Sequence, residues 1–136
     1  MLVIDASIAL AWLFEDPQHD GALEVLNQVA CSGAVVPVHW WLEVGNALLA
    51  ARLAKRLHRD VWTILAPLRA LPIQIDTESA ALASSHTLRL AVQLGIKTYD
   101  AAYLELAERY QVPLGTLDHA LAALARTRGL QLALPA

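Results

Sequence analysis

Residues 1–16 read MLVIDASIALAWLFED. The apolar run LVI has the character of a buried strand, yet it stops on a carboxylate, Asp5. Two residues later comes a hydroxyl, Ser7, and the chain then resumes as an apolar helix over residues 7–14, closed by Asp16 and Pro17. An ionised carboxylate beside an apolar interior is costly unless positive charge or hydrogen bonds compensate it. The compensator of Asp5 is therefore the central question of this sequence.

Working outward, strand-like and helix-like segments keep alternating. Residues 21–30 carry apolar side chains at helical spacing and end near Ser32 and Gly33; AVVPV (34–38) reads as a second buried strand ended by Pro37. A long helix is expected over 39–57, and another over 59–71, kinked or broken by Pro67. PIQID (72–76) is a third strand, 77–94 a helix stopped by Gly95, and 100–110 a further helix. VPLGTLD (112–118) is a fourth strand, residues 119–129 a helix with a Gly129 stop, and LQLAL (130–134) a terminal strand. This order predicts an α/β fold: a central, mostly parallel sheet of four to five strands with helices on both faces. One domain over residues 1–136 is expected, with no linker and no internal repeat.

A chain of 136 residues, 57% hydrophobic and 17% charged, is not disordered, and its apolar excess points to surface reserved for a partner. The lone Cys31 excludes an internal disulfide and is expected to be a small buried hydrophobe. The start lacks a basic stretch before its apolar run, and no apolar run is long enough to span a bilayer, so a cytoplasmic protein without membrane association is expected. The net charge of −3 argues only weakly against nucleic acid. If four acids hold metal, the remainder is slightly positive, and the placement of the cations decides.

Sites in parallel α/β sheets lie outside the carboxyl ends of the strands. Asp5 ends the first strand and Asp118 the fourth; Glu43 starts the helix after the second strand, and Asp100 opens another helix. Thr98 and Thr116 each stand two residues before an Asp, where a hydroxyl could orient a carboxylate. Any one of the acids is accounted for as a helix cap of about 1 kcal/mol or a dipole partner of roughly 0.3–1 kcal/mol. Four on one rim are not, because like charges raise one another's pKa values unless a cation is present. Hard oxygen ligands without His or Cys suit Mg²⁺, with Mn²⁺ as a substitute, rather than Zn²⁺.

The segments VIDASIALAWLFED (3–16), WLEVGNALL (41–49), TYDAAYLELA (98–107) and GTLDHAL (115–121) together resemble, in order and spacing, the successive motifs of PIN-domain ribonucleases, specifically the VapC-type toxins of bacterial toxin–antitoxin pairs. The resemblance implies a PIN-like fold in which Asp5, Glu43, Asp100 and Asp118 are the catalytic acids and metal ligands. It places Ser7, Asn46 and Thr116 at accessory polar positions. It further implies Mg²⁺-dependent endonucleolytic hydrolysis of RNA by an activated water, leaving a 5′-phosphate and a 3′-hydroxyl. The implied partners are a VapB-type antitoxin, which commonly delivers an Arg to the acidic pocket, and a second copy in a homodimer.

Arg52, Lys55, Arg56 and Arg59, with Arg89, Lys97, Arg126 and Arg128, could form a phosphate-contacting rim or simply solvated helix faces. Trp40 and Trp41 point about 100° apart on a helix, so one of them is expected to line a groove for the antitoxin, whereas Trp12 and Trp62 are expected in the core. Tyr99 and Tyr103 read as core or rim packing. Rival readings are a catalytically silent PIN-like binding module, a housekeeping PIN nuclease without antitoxin, a phospho-accepting receiver domain and an aspartyl-phosphate phosphatase. The receiver lacks its paired early acids and late Lys, and the phosphatase would need an acid where Ser7 stands.

Overall fold

The computed structural model describes residues 1–15 and 20–134; Asp16 and Pro17, the expected close of the first helix, lie outside them. In chain order the elements are β1 (Leu2–Ile4), α1 (Ala6–Leu13), α2 (Asp20–Ser32), β2 (Ala34–Val36), α3 (Trp40–Leu53), α4 (Val61–Arg69), β3 (Ile73–Ile75), α5 (Ser79–Leu82), α6 (His86–Leu94), α7 (Thr98–Tyr110), β4 (Leu114–Gly115) and α8 (His119–Thr127). The strands form one sheet in the order β3-β2-β1-β4, and every neighbouring pair is parallel. The expected α/β architecture is present, with a wholly parallel four-stranded sheet. The terminal segment LQLAL contributes only a single parallel bridge from Leu132 to Leu114.

β1 and β2 are buried along their whole length, which is why both read as unbroken apolar runs rather than as alternating ones. The connections from β1 to β2 and β2 to β3 step one way across the sheet, and the connection from β3 to β4 returns the other way. Right-handed crossovers then put α1–α4 on one face and α5–α7 on the other. The contacts agree: α1 packs on α2, α3 and α4, while α7 packs on α6, β1 and β4. Among the described residues no helix is long and apolar enough to cross a membrane.

Several boundaries and burials differ from expectation. α3 ends at Leu53, not near Leu57, because Lys55 turns left-handed (φ +57°) and the Arg56 N–H reaches back to the Ala51 carbonyl. That reversal normally advertises itself with Gly, and here it carries Lys. The single helix expected over 77–94 is two, α5 and α6. Ser85 leaves helical geometry (φ −128°, ψ −97°) and its hydroxyl donates to the Leu82 carbonyl, the kind of local bond that competes with a helix ladder. Pro67 lies inside α4 without ending it.

Cys31 is exposed, since α2 turns Ala22, Val25 and Val29 inward. Trp62 is 73% exposed on α4 and not in the core. Trp40 is wholly buried, and Trp41 packs against the core with its ring edge-to-face on Trp40 at 4.7 Å, so the adjacent pair is absorbed inward. Trp12 packs at the core's edge, its indole N–H donating to the Ala22 carbonyl.

One ionic cluster ties β3 to α7. Asp76, the residue after β3, is buried and accepts from both terminal nitrogens of Arg109, at 2.7 and 3.2 Å, and from the Tyr110 hydroxyl at 3.0 Å. Arg109 also donates to Glu105 at 2.7 Å and to Glu78 at 3.1 Å. Burial pushes the Asp76 carboxyl up, but the hydrogen bonds from Arg109 and Tyr110 outweigh it and leave the group below its ordinary value. Removing one partner of a buried pair strands the other charge. Arg109→Met is therefore expected to cost about 3 kcal/mol in urea unfolding at neutral pH. Because a depressed carboxylate contributes its stability above its unfolded value and loses it as pH falls through the folded one, the deficit should shrink below about pH 4.

Candidate active site at the strand ends

Asp5 follows β1 and caps α1. Its Oδ1 accepts from the backbone N–H of Ser7 at 3.0 Å, from that of Ile8 at 3.4 Å and from the Ser7 hydroxyl; its Oδ2 accepts from the Thr116 hydroxyl. Each hydroxyl is itself held by the next loop. Ser7 Oγ accepts from the Leu117 N–H at 2.9 Å and Thr116 Oγ1 from the Asp118 N–H at 3.0 Å. With their acceptor side taken, both hydroxyls direct their single proton at Asp5. Burial nevertheless dominates: it raises the Asp5 pKa from 3.8 to about 6 against the lowering effect of these hydrogen bonds.

Asp118 caps α8, accepting from the Ala120 and Leu121 N–H groups at 2.9 and 3.0 Å, and is exposed. The two Thr-x-Asp segments thus differ. Thr116 is buried and serves Asp5, whereas Thr98 is exposed at the start of α7. Glu43 stands in the first turn of α3, where the Tyr103 hydroxyl donates to Oε1 at 2.8 Å and His39 Nε2 lies 2.9 Å from the same oxygen. Partial burial pushes Glu43 up, and the contacts from His39 and Tyr103 more than reverse it. Asn46 is exposed one turn further along α3.

Asp100, in the first turn of α7, is half-buried and held above its ordinary value, first by desolvation and then by the like charges of Asp118 and Glu43; Lys97 and His39 offset this only in part. The Tyr103 phenol is pushed up by burial and by Glu43, with further contributions from Asp5 and Asp100, and so stays a donor. Of the four acids named from the sequence, Asp100 therefore feels Asp118 and Glu43, while Asp5 is linked to Glu43 and Asp100 through the Tyr103 phenol that all three act on. His39 and Tyr103 were not among the sequence candidates. Their signal was spacing, since His39 lies four residues before Glu43 and Tyr103 three after Asp100, each one helical turn away.

The sequence profile of one family, the PIN domain, matches residues 2–133. The chain belongs to the PIN domain family. Among solved structures it is similar to PAE2754 from Pyrobaculum aerophilum, at 26% identity and a TM-score of 0.62, over 97% of this chain and 83% of that one. It shares its fold with FitAcB from Neisseria gonorrhoeae (14% identity, TM-score 0.57, 97% and 96% covered). The same holds for a toxin-antitoxin complex from Klebsiella pneumoniae (17%, 0.55, 87% and 87%). Comparison with curated protein sequences gives no match.

PIN domain nucleases generally use divalent metals, and the four acids named from the sequence offer carboxylate oxygen alone, a chemistry that suits hard divalent cations. Among the described residues no three His, Cys, Asp or Glu side chains are arranged to coordinate one ion directly. Mg²⁺ keeps several waters and is commonly bound through one or two carboxylates, so the residues present fit such an ion without a closed protein cage.

Since Asp5 takes up its proton more readily folded than unfolded, its contribution to stability is full below about pH 4 and falls as pH rises through about 6. In metal-free buffer, urea unfolding should show Asp5→Asn gaining about 3 kcal/mol on the parent between pH 4 and pH 7.5. A constant difference between the two proteins would contradict the buried, hydrogen-bonded carboxylate.

Proposed function

We propose that this PIN domain, acting as one domain over residues 1–136, is a metal-dependent endoribonuclease: the VapC-type toxin of a toxin–antitoxin pair, hydrolysing RNA phosphodiester bonds. The observation that supports this most directly is the electrostatic contrast at the strand ends. Asp76 is neutralised by a guanidinium and sits below its ordinary pKa, while Asp100 sits above its own, first because burial desolvates it and then because the like charges of Asp118 and Glu43 face it. Carboxylates left in mutual repulsion at a rim are suited to a cation brought from solution.

In this reading Asp5, Glu43, Asp100 and Asp118 are the catalytic acids and hold Mg²⁺ or Mn²⁺. The bound ion supplies neutralisation of the scissile phosphate and a lowered pKa for an attacking water. The chain's own residues supply position. Ser7 and Thr116 fix both oxygens of Asp5, and Tyr103 and His39 fix Glu43. Asn46, one turn from Glu43, orients substrate or water, and the α8 amides hold one oxygen of Asp118 and leave the other toward solvent. The Ser7 hydroxyl is held between Asp5, to which it donates, and the Leu117 N–H, from which it accepts, so its part in the proposal is to position Asp5 and not to act as a nucleophile.

The proposed setting is the cytoplasm, with RNA as substrate, a homodimer as the assembly and a VapB-type antitoxin as the regulating partner. An apolar groove of about 480 Å³ between α1, α2 and α4, lined by Trp12, Leu13, Leu26, Ile64, Leu68 and Leu71, supports a partner that buries apolar anchors. The solved Klebsiella pneumoniae neighbour is itself a toxin-antitoxin complex.

Asp100 gives a cleaner test than Asp5, which is also a buried joint of the fold. Purified protein freed of partner should cut RNA with Mg²⁺ or Mn²⁺ and stop on addition of EDTA. Asp100→Ala should fall to the background of a mock purification while keeping the parent's urea midpoint. Cutting by Asp100→Ala equal to the parent's, with contaminating nuclease excluded, would overturn the site.

A further inference from the structure

The first turn of α7 exposes a large aromatic at the edge of the acid rim. Of the two tyrosines read as core or rim packing, Tyr99, directly before Asp100, lies at the rim and is 59% exposed, while Tyr103 one turn on is buried. The Tyr99 ring rests against His39 with centroids 5.3 Å apart, and His39 in turn meets Tyr103 at 5.2 Å. Three rings thus form a column from the core to solvent. Tyr103 donates to Glu43, and the His39 ring, its Nε2 2.9 Å from the same carboxylate oxygen, stands between Tyr103 and Tyr99, so the outer ring has a neighbour on one side and solvent beyond.

Single exposed aromatics are common; the position of this one gives it meaning. A rim of carboxylates repels a phosphate until a cation arrives, but it does not repel the uncharged π face of a nucleobase. Successive helix residues diverge by about 100°, so Tyr99 and Asp100 present a stacking face and a carboxylate side by side. Bases in a duplex have both faces covered by their neighbours, whereas unpaired bases can be splayed onto aromatic side chains.

We propose that Tyr99, backed by His39, is a stacking platform for an unpaired nucleobase next to the phosphate to be cut, a binding residue outside the set of acids. This rests on the ribonuclease reading of the same site.

The test measures binding of the full chain to a short, unstructured, fluorescently labelled RNA in Mg²⁺, with every protein, parent included, carrying Asp100→Ala so that no cleavage interferes. Tyr99→Ala and Tyr99→Leu should each weaken binding about tenfold, Tyr99→Phe should retain the parent's affinity, and a duplex of the same sequence should respond to none of them. In proteins that keep Asp100, with Mg²⁺, KM should rise by a similar factor and kcat stay unchanged, as for an interaction made equally in ground and transition states. Unchanged single-strand binding by Tyr99→Ala, parent-like binding by Tyr99→Leu, an equal loss for duplex, or no RNA binding by the parent would each overturn the platform. Tyr99-dependent binding by a chain that never cuts even with Asp100 in place would remove the nuclease reading alone. Cutting that ignores Tyr99 would remove the platform alone.

Discussion

The buried hydrogen-bonded carboxylate of Asp5 is the constraint on which the arrangement of the site depends. Ser7 and Thr116 come from different ends of the chain and both donate to this group. Each hydroxyl also receives an N–H from the loop that leads to Asp118. The join therefore fixes two things together: the exit of β1 into α1, and the exit of the neighbouring strand β4 into α8. A purely apolar contact could hold those strands side by side, but it has no direction. Hydrogen bonds with assigned donors and acceptors set which oxygen faces which loop, and through the caps of α1 and α8 they set where both helices begin.

The electrostatics divide the acids of the sheet edge into two kinds. Asp76 looks in sequence just like Asp5, an acid closing an apolar run. In space Arg109 reaches it with two nitrogens, Tyr110 adds a third donor, and the charge is satisfied within the fold. Asp5 has hydrogen bonds and no cation, and Asp100 has the charges of Asp118 and Glu43 for company. The first environment holds an edge strand to a helix. The second leaves Asp5 buried without a counter-charge and half-buried Asp100 beside two like charges, so neither is neutralised within the fold. The aromatic column of Tyr103, His39 and Tyr99 joins the two themes, since it braces Glu43 at its inner end and offers a neutral surface at its outer one.

Much of the fold was legible because burial on both faces of a parallel strand leaves a plain mark, an unbroken apolar run, as in LVI and AVV. Gly33, Gly95 and Gly129 marked three helix ends correctly, and all three have positive φ. The misses came where local chemistry lacks its usual marker. Lys55 adopts the left-handed turn in place of Gly, and Ser85 divides a stretch whose apolar spacing is continuous. The exposure of Cys31 and Trp62 likewise depends on which face of a helix the neighbours happen to cover, and composition carries no record of that.

By itself the sequence determined the α/β alternation, the family, and the identity of four acids that stand after strand ends or at helix starts, because periodicity and end position are local properties of the chain. Only the tertiary structure decided what surrounds each acid. It showed that Arg109, from a helix 33 residues away in sequence, disarms Asp76, and that Thr116, 111 residues away, orients Asp5. It also showed that His39 and Tyr103 brace Glu43 while Tyr99 faces water. The reason is physical: a charge's energy is set by the dielectric and the partners within a few ångströms, and those neighbours are chosen by the fold, not by adjacency along the chain.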